Sequence, residues 1–179
     1  MRVVEHRRHS MRTKPGQHLS QAGVELARRV GEGMGRFDRV VTSRLPRAFE
    51  TALAMGYAVD EQLEALSSTP EGLGAEVDWR DGCGGFRSAV RLGGVAARYV
   101  AEQAALVRAI AAALPEDGRA LVVSHGGIVE AGVVGCRPED DFAGWGAACG
   151  YCEGIRLAFE GDRCVAAELL RVPGATLES

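Results

Sequence analysis

The stretch Phe37-Asp38-Arg39-Val40-Val41-Thr42-Ser43-Arg44-Leu45-Pro46-Arg47-Ala48-Phe49-Glu50-Thr51-Ala52 decides the fold class. Its first part, Phe37 to Thr42, centres on two β-branched apolar residues and reads as a strand. Ser43-Arg44 breaks that run. Leu45-Pro46 then opens a helix, because a first turn has no use for the N–H that proline lacks, and Leu45, Ala48, Phe49 and Ala52 recur at helical spacing before Gly56.

The same grammar extends in both directions. Upstream, Val3 and Val4 open a short strand; after a basic turn, Ser20 caps a helix whose Val24, Ala27 and Val30 share one face until Gly31, Gly33 and Gly35 end it. Downstream, the signal weakens from Tyr57 to Phe86, which reads as a short strand followed by an irregular excursion, about 61–98, overhanging a site. Ser88 to Leu114 reads as one or two amphipathic helices with an interruption at Gly93-Gly94. Ala120 to Ser124 is a buried strand. Ile155, Leu157 and Phe159, then Val165, Ala167 and Leu169, alternate on either side of Gly161-Asp162 and form a hairpin. The expected fold is α/β: a three-layer α/β/α arrangement with a mostly parallel central sheet and a C-terminal antiparallel hairpin at its edge, in a single domain over 1–179.

Two histidines sit where such strands break into small-residue turns, in Arg8-His9-Ser10 and in Ser124-His125-Gly126-Gly127. Ligands of open α/β folds bind beyond the carboxyl ends of parallel strands, so the two are expected to share a site. Basic residues crowd the amino end in Arg2, Arg7, Arg8, Arg12 and Lys14, beside His6 and His9, although the net charge is −3. That contrast favours a small anion held locally and argues against a nucleic acid partner. A composition of 46% hydrophobic and 25% charged residues is that of a globular chain, with neither a membrane span nor a disordered tract expected. Charge follows Met1–Val4 at once, so no secretory leader is read and a cytoplasmic location is expected. The five cysteines are odd in number and lack framework spacing, which suits reduced thiols.

Histidine and arginine together suit phosphate. A guanidinium grips phosphate oxygens in pairs and keeps its charge. A neutral imidazole nitrogen can attack phosphorus, and a second imidazole can neutralise charge on the equatorial oxygens. A general acid is needed for the departing alkoxide.

At these residues the chain resembles a known family. Arg8-His9-Ser10 resembles the Arg-His-Gly signature of the histidine phosphatase superfamily, which includes the phosphoglycerate mutases. Ser43 to Ala52 is similar to that family's Ser-x-Leu-x-Arg-Ala-x-x-Thr-Ala segment, Ser124-His125-Gly126-Gly127 resembles its second histidine motif, and Leu19-Ser20-Gln21-Ala22-Gly23 resembles its Leu-Thr-x-x-Gly segment. The four occur in the family's order, and the likeness runs from residue 1 to about 170. It implies that His9 is the nucleophile, that Arg8 and Arg47 clamp the phosphoryl oxygens, and that His125 completes the pocket. It also implies a proton-donating glutamate after the third strand, for which Glu64 in Leu63-Glu64-Ala65 is the first candidate, ahead of Glu61 and Glu71, although it is displaced by one residue from the family's Leu-x-Glu. Ser10 stands where the family has glycine, and Arg12-Thr13-Lys14 where many members have asparagine. Ser10, Arg12, His18 and Gly126 are candidate substrate contacts.

The function so implied is that of a phosphomonoesterase acting on a small phosphorylated substrate through a phosphohistidine, with no metal and no cofactor. The mutases of this family are longer, with segments that keep water out. Mutase-type phosphoryl transfer and a non-catalytic phosphate-binding module remain the alternatives. A fourth reading, dithiol redox chemistry, rests on Cys149-Gly150-Tyr151-Cys152, although the helix that usually activates such a thiol is replaced by the strand-like run from Glu153 to Phe159. The rest of the substrate is expected to meet the 61–98 excursion, where Trp79, Arg80, Arg87, Arg91 and Arg98 are available.

Overall fold

Val40 and Val41 belong to a six-stranded sheet in the computed structural model, which describes residues 1–174. Four strands are parallel: β1 (Arg2–Arg8), β2 (Arg39–Ser43), β3 (Glu61–Leu63) and β4 (Arg119–Ser124). The antiparallel hairpin of β5 (Gly154–Glu160) and β6 (Arg163–Leu170) joins the sheet through β5 against β1, giving the order β3-β2-β4-β1-β5-β6. The α/β class and the hairpin edge are those expected.

Successive residues of a strand face opposite sides of a sheet, and β4 shows what each side holds. Ala120 and Val122 pack into a core built with α4 (Cys83–Leu92), α5 (Gly94–Ala112) and α6 (Ile128–Cys136), whereas Leu121 and Val123 pack against α1 (Gln21–Gly31) and α2 (Pro46–Ala54). Helices therefore cover both faces. Burying Leu121 or Phe86 stabilises the fold by about 1.5–3 kcal/mol each. Ser20 caps α1 through its hydroxyl, which accepts the Gly23 N–H at 3.1 Å, and Pro46 occupies the first turn of α2. The excursion is more ordered than its sequence suggests. It contains the short α3 (Leu73–Glu76), a 3₁₀ turn at Trp79–Asp81, and α4, which ends at the glycine pair expected to interrupt the helices.

Helix α6 has no counterpart in the sequence reading. Its run of Ile, Val, Ala and Gly is buried along its length, so it lacks the polar face that marks a helix by period. No helix among the described residues is long and apolar enough to cross a membrane.

The parallel pairing of β1 with β4 sets Arg8 opposite Ser124. The residues that follow them, His9 and His125, therefore leave the sheet side by side, and the His9 N–H donates to the Ser124 carbonyl at 2.9 Å. Ser43, the last residue of β2, lies at the same end of the sheet.

Candidate active site

His9 is 5% exposed, and its Nδ1 lies 2.7 Å from the Ser10 carbonyl oxygen. A carbonyl only accepts, so Nδ1 carries the ring proton and Nε2 keeps its lone pair. Nε2 accepts from the Arg47 Nε–H at 3.2 Å. Burial lowers the His9 pKa to about 2, with His125, Arg8 and Arg47 adding to the effect and the Ser10 carbonyl opposing it. The ring is thus neutral and oriented as a nucleophile requires.

The His125 ring centroid lies 5.1 Å from that of His9. Its Nε2 is 2.7 Å from Ser43 Oγ, which also accepts the Leu45 N–H at 3.3 Å. The hydroxyl keeps its proton and a second lone pair, so it can donate to Nε2 or accept from it. The other ring nitrogen, Nδ1, is buried with no hydrogen-bond partner. Burial first, then Arg47, Arg8, His6 and Arg12, lower its pKa to about 3. A bound phosphate dianion reverses that balance, because it supplies the negative charge the imidazolium lacks.

Two arginines flank this pair. Arg47, in the first turn of α2, also donates through Nη1 to Gln17. Thr51, one turn along, donates its hydroxyl to the Arg47 carbonyl at 2.6 Å and accepts the Ser10 N–H at 2.9 Å, fixing α2 to the His9 turn. Arg8 donates from Nη1 to the Cys149 carbonyl at 2.9 Å and lies over the Tyr151 ring, its Cζ 4.7 Å from the centroid. The Arg8 Nε is buried without a partner.

These groups open on a cavity of about 520 Å³, lined also by Arg12, Lys14, Trp79, Arg80, Gly126, Gly127, Ala147, Ala148 and Tyr151. Five cationic side chains and no carboxylate line it among the described residues. Gly127 explains how Trp79 enters. At φ +87° the residue is left-handed, and a Cβ there would lie 2.4 Å from the indole Cζ3, so only glycine lets the ring settle against the start of α6.

The structure brings Arg8, His9, Arg47 and His125 together, with Arg12 and Gly126 at the wall; it does not bring in three other expected residues. Glu64 is exposed in the 3₁₀ turn after β3, 3.8 Å from Arg44, and lines a separate cavity with Tyr99 and Gln103. β3 is only three residues long, and the chain turns toward α5 immediately beyond it. Neither Glu61, paired with Arg39, nor exposed Glu71 takes its place. Ser10 is buried, but its hydroxyl donates to the Gly23 carbonyl at 2.7 Å and so ties the turn to α1 without facing the cavity. Its φ is not positive, so the turn does not demand glycine. Glycine is demanded at Gly23, where a Cβ would lie 2.0 Å from the Met11 carbonyl oxygen. His18 is exposed and pairs with Glu50 outside the cavity.

Of the arginines in the excursion, Arg80 reaches the cavity, beside Trp79. Ser43, Thr51 and Tyr151 were not singled out by the sequence, although the first two lie within the quoted family segment. His6 is a core residue, with Nε2 2.6 Å from Ser124 Oγ and its pKa lowered by burial to about 3. Cys149 and Cys152 are free and buried; burial pushes the Cys149 thiol well up and that of Cys152 to about 11. Such thiols stay protonated, which is the opposite of what dithiol chemistry needs. What the segment supplies is backbone: the carbonyls of Cys149 and Cys152 hold Arg8 and Arg7.

Three histidines with depressed pKa values make stability depend on pH. His6, His9 and His125 stay neutral in the fold down to about pH 3, whereas in the unfolded chain each takes up a proton below about 6.5. The unfolded state then binds more protons, so stability is full above pH 6.5 and falls as pH drops toward 3, by at most about 1.4 kcal/mol per pH unit per histidine. Thermal melts should show Tm falling steadily from pH 6.5 to 4.5. His6→Phe, which removes one of the three titrations, should make that slope shallower; a Tm unchanged between these pH values would refute the assignment.

The profile of the histidine phosphatase superfamily (branch 1) matches residues 3–170, and the chain belongs to that superfamily. No curated protein matches the sequence. Among solved structures, it resembles a phosphoserine phosphatase from Entamoeba histolytica in complex with 3-phosphoglyceric acid, at 16% identity and a TM-score of 0.71 over 97% of this chain and 98% of that one. A mycobacterial glucosyl-3-phosphoglycerate phosphatase follows at 20% identity and a TM-score of 0.67, over 95% and 98% of the two chains. A putative alpha-ribazole-5'-P phosphatase from Escherichia coli gives 17% identity and a TM-score of 0.63 over 98% of each chain. At such identities the likeness is one of fold.

Proposed function

We propose that the protein is a phosphomonoesterase that hydrolyses a small phosphorylated substrate through a phosphohistidine on His9. The observation that carries this reading is the His9 tautomer: a neutral ring with Nδ1 anchored on the Ser10 carbonyl and Nε2 beside Arg47 in a cation-lined cavity. In the first step Nε2 attacks phosphorus and the ester P–O bond breaks, the oxygen departing with the bonding pair, a phenolate as such and an alkoxide with a proton drawn from solvent water. Arg8 and Arg47 balance the equatorial charge, and His125 donates to a phosphoryl oxygen from Nδ1. In the second step water attacks phosphorus, the P–N bond breaks, and phosphate leaves with His9 restored.

The substrate reading follows from charge. A phosphoryl dianion is matched by Arg8 and Arg47 with the two imidazoles, and Arg12 and Arg80 bring further positive charge to the same cavity for a second anionic group, with Trp79 as an apolar wall. The substrates named for two of the similar structures, phosphoserine and glucosyl-3-phosphoglycerate, each carry a carboxylate besides the phosphate.

Brief incubation with a ³²P-labelled phosphomonoester followed by an alkaline quench should leave label on His9, stable to base and lost in acid. Absence of label with every member of a broad phosphoester panel would overturn the reading. In the same panel, esters carrying a second acid group should show kcat/KM about tenfold above matched neutral esters, and Arg80→Ala should remove that preference.

A further inference from the structure

The 147–153 segment lies outside the strands and helices, yet it supplies the surface on which Arg8 rests. Its order comes from carboxylates that the sequence gives no reason to notice. Glu130, the third residue of α6, is 1% exposed. Its Oε2 accepts the Gly127 N–H and its Oε1 accepts the Cys149 N–H, both at 2.7 Å. The next N–H of the segment, that of Gly150, donates to Glu153 Oε2 at 2.7 Å, and Glu153 is held in turn by Arg171 at 2.6 Å. Neither carboxylate lines the cavity.

Cys149 links this scaffold to the site. Its N–H is fixed by Glu130, and its carbonyl accepts Arg8 Nη1 at 2.9 Å. Capping the start of α6 alone needs only a short acceptor such as serine or aspartate at the cap position. Glutamate at the third position does more, because its two oxygens join the turn that carries His125 to the segment that carries the Arg8 acceptor. A charge so deeply buried is tolerated when charge-assisted hydrogen bonds replace the lost water, and here both oxygens have one.

We propose that Glu130 is a positioning residue that acts through Cys149 to set the Arg8 guanidinium at the phosphoryl group. The proposal rests on the reading of Arg8 as a phosphoryl ligand. A carboxylate is required because both of its oxygens accept; an amide of the same shape turns an NH₂ toward one of the two N–H groups and releases either the α6 turn or Cys149.

The test is a double-mutant cycle of Glu130→Gln with Arg8→Ala, read by kcat/KM on an aryl phosphate and by inhibition with inorganic phosphate. E130Q alone should weaken both by about 10- to 100-fold, the scale on which small displacements of a binding group act. In the R8A background, E130Q should change either by less than about twofold, since the group it positions is gone. Equal losses in both backgrounds would show a general structural role and overturn the proposal, as would a folded E130Q with unchanged phosphate inhibition. R8A with unaltered phosphate inhibition would overturn the reading of Arg8 itself, and this proposal with it. Should E130Q fail to fold, Glu130→Asp, which keeps the charge but falls one methylene short, is judged by the same cycle.

Discussion

His9→Ala is expected to lose phosphatase turnover by about four orders of magnitude or more, the scale seen when a covalent nucleophile is removed from a site that otherwise stays assembled. The loss should lie in kcat, because Arg8, Arg47 and His125 are held by contacts that do not all run through the His9 ring. Arg8 rests on Cys149 and Tyr151, and His125 on Ser43. Phosphate should therefore still bind to the variant, and the base-stable label should disappear. Alanine leaves the His9 N–H to Ser124 intact, so folding is preserved and the comparison is fair. A variant that kept even a tenth of wild-type kcat would remove His9 from the mechanism.

How much of this site was legible depended on whether a residue's job follows from its neighbours in sequence. His9 and His125 were readable because each ends an apolar strand, and parallel pairing of Arg8 with Ser124 makes them neighbours in space. Pro46 announced the helix start that places Arg47, but its candidacy came from the family resemblance alone. Glu64 was drawn from the family resemblance and not from its neighbours, and it lies outside the cavity because β3 is short and at the sheet's edge. Ser10 drew attention as a departure from glycine, but the crowding that requires glycine falls on Gly23. Tyr151 and Glu130 were beyond reach: one lies in an irregular segment and the other in a helix without a polar face, and only contacts distant in sequence, a ring under Arg8 and two hydrogen bonds to a carboxylate, give them a role. Trp79 was visible as a candidate; its path into the cavity, over the bare Gly127, was not.

The placement of Glu64 carries the second large expectation, a steep dependence of rate on the leaving group. A positioned general acid is worth about 10²–10⁴-fold for a leaving alkoxide. Among the described residues, the cavity is lined by guanidiniums, Lys14 and the Tyr151 phenol with no carboxylic acid, and His125, protonated once phosphate binds, turns its proton to a phosphoryl oxygen and not to the leaving group. Aryl phosphates, whose phenolate departs without a proton, should therefore exceed unbranched alkyl phosphates in kcat/KM by about 10²–10⁴, the factor such an acid would have supplied. The comparison belongs in kcat/KM because breakdown of the phosphohistidine is common to all substrates and levels kcat. Glu64→Gln should change neither series by more than about twofold, since its carboxylate lies in another cavity. A flat dependence across leaving groups would show that a proton donor serves the cavity. A further loss on alkyl but not aryl esters in Tyr151→Phe would then identify the phenol as that donor, because only substrates that need the proton would feel its removal.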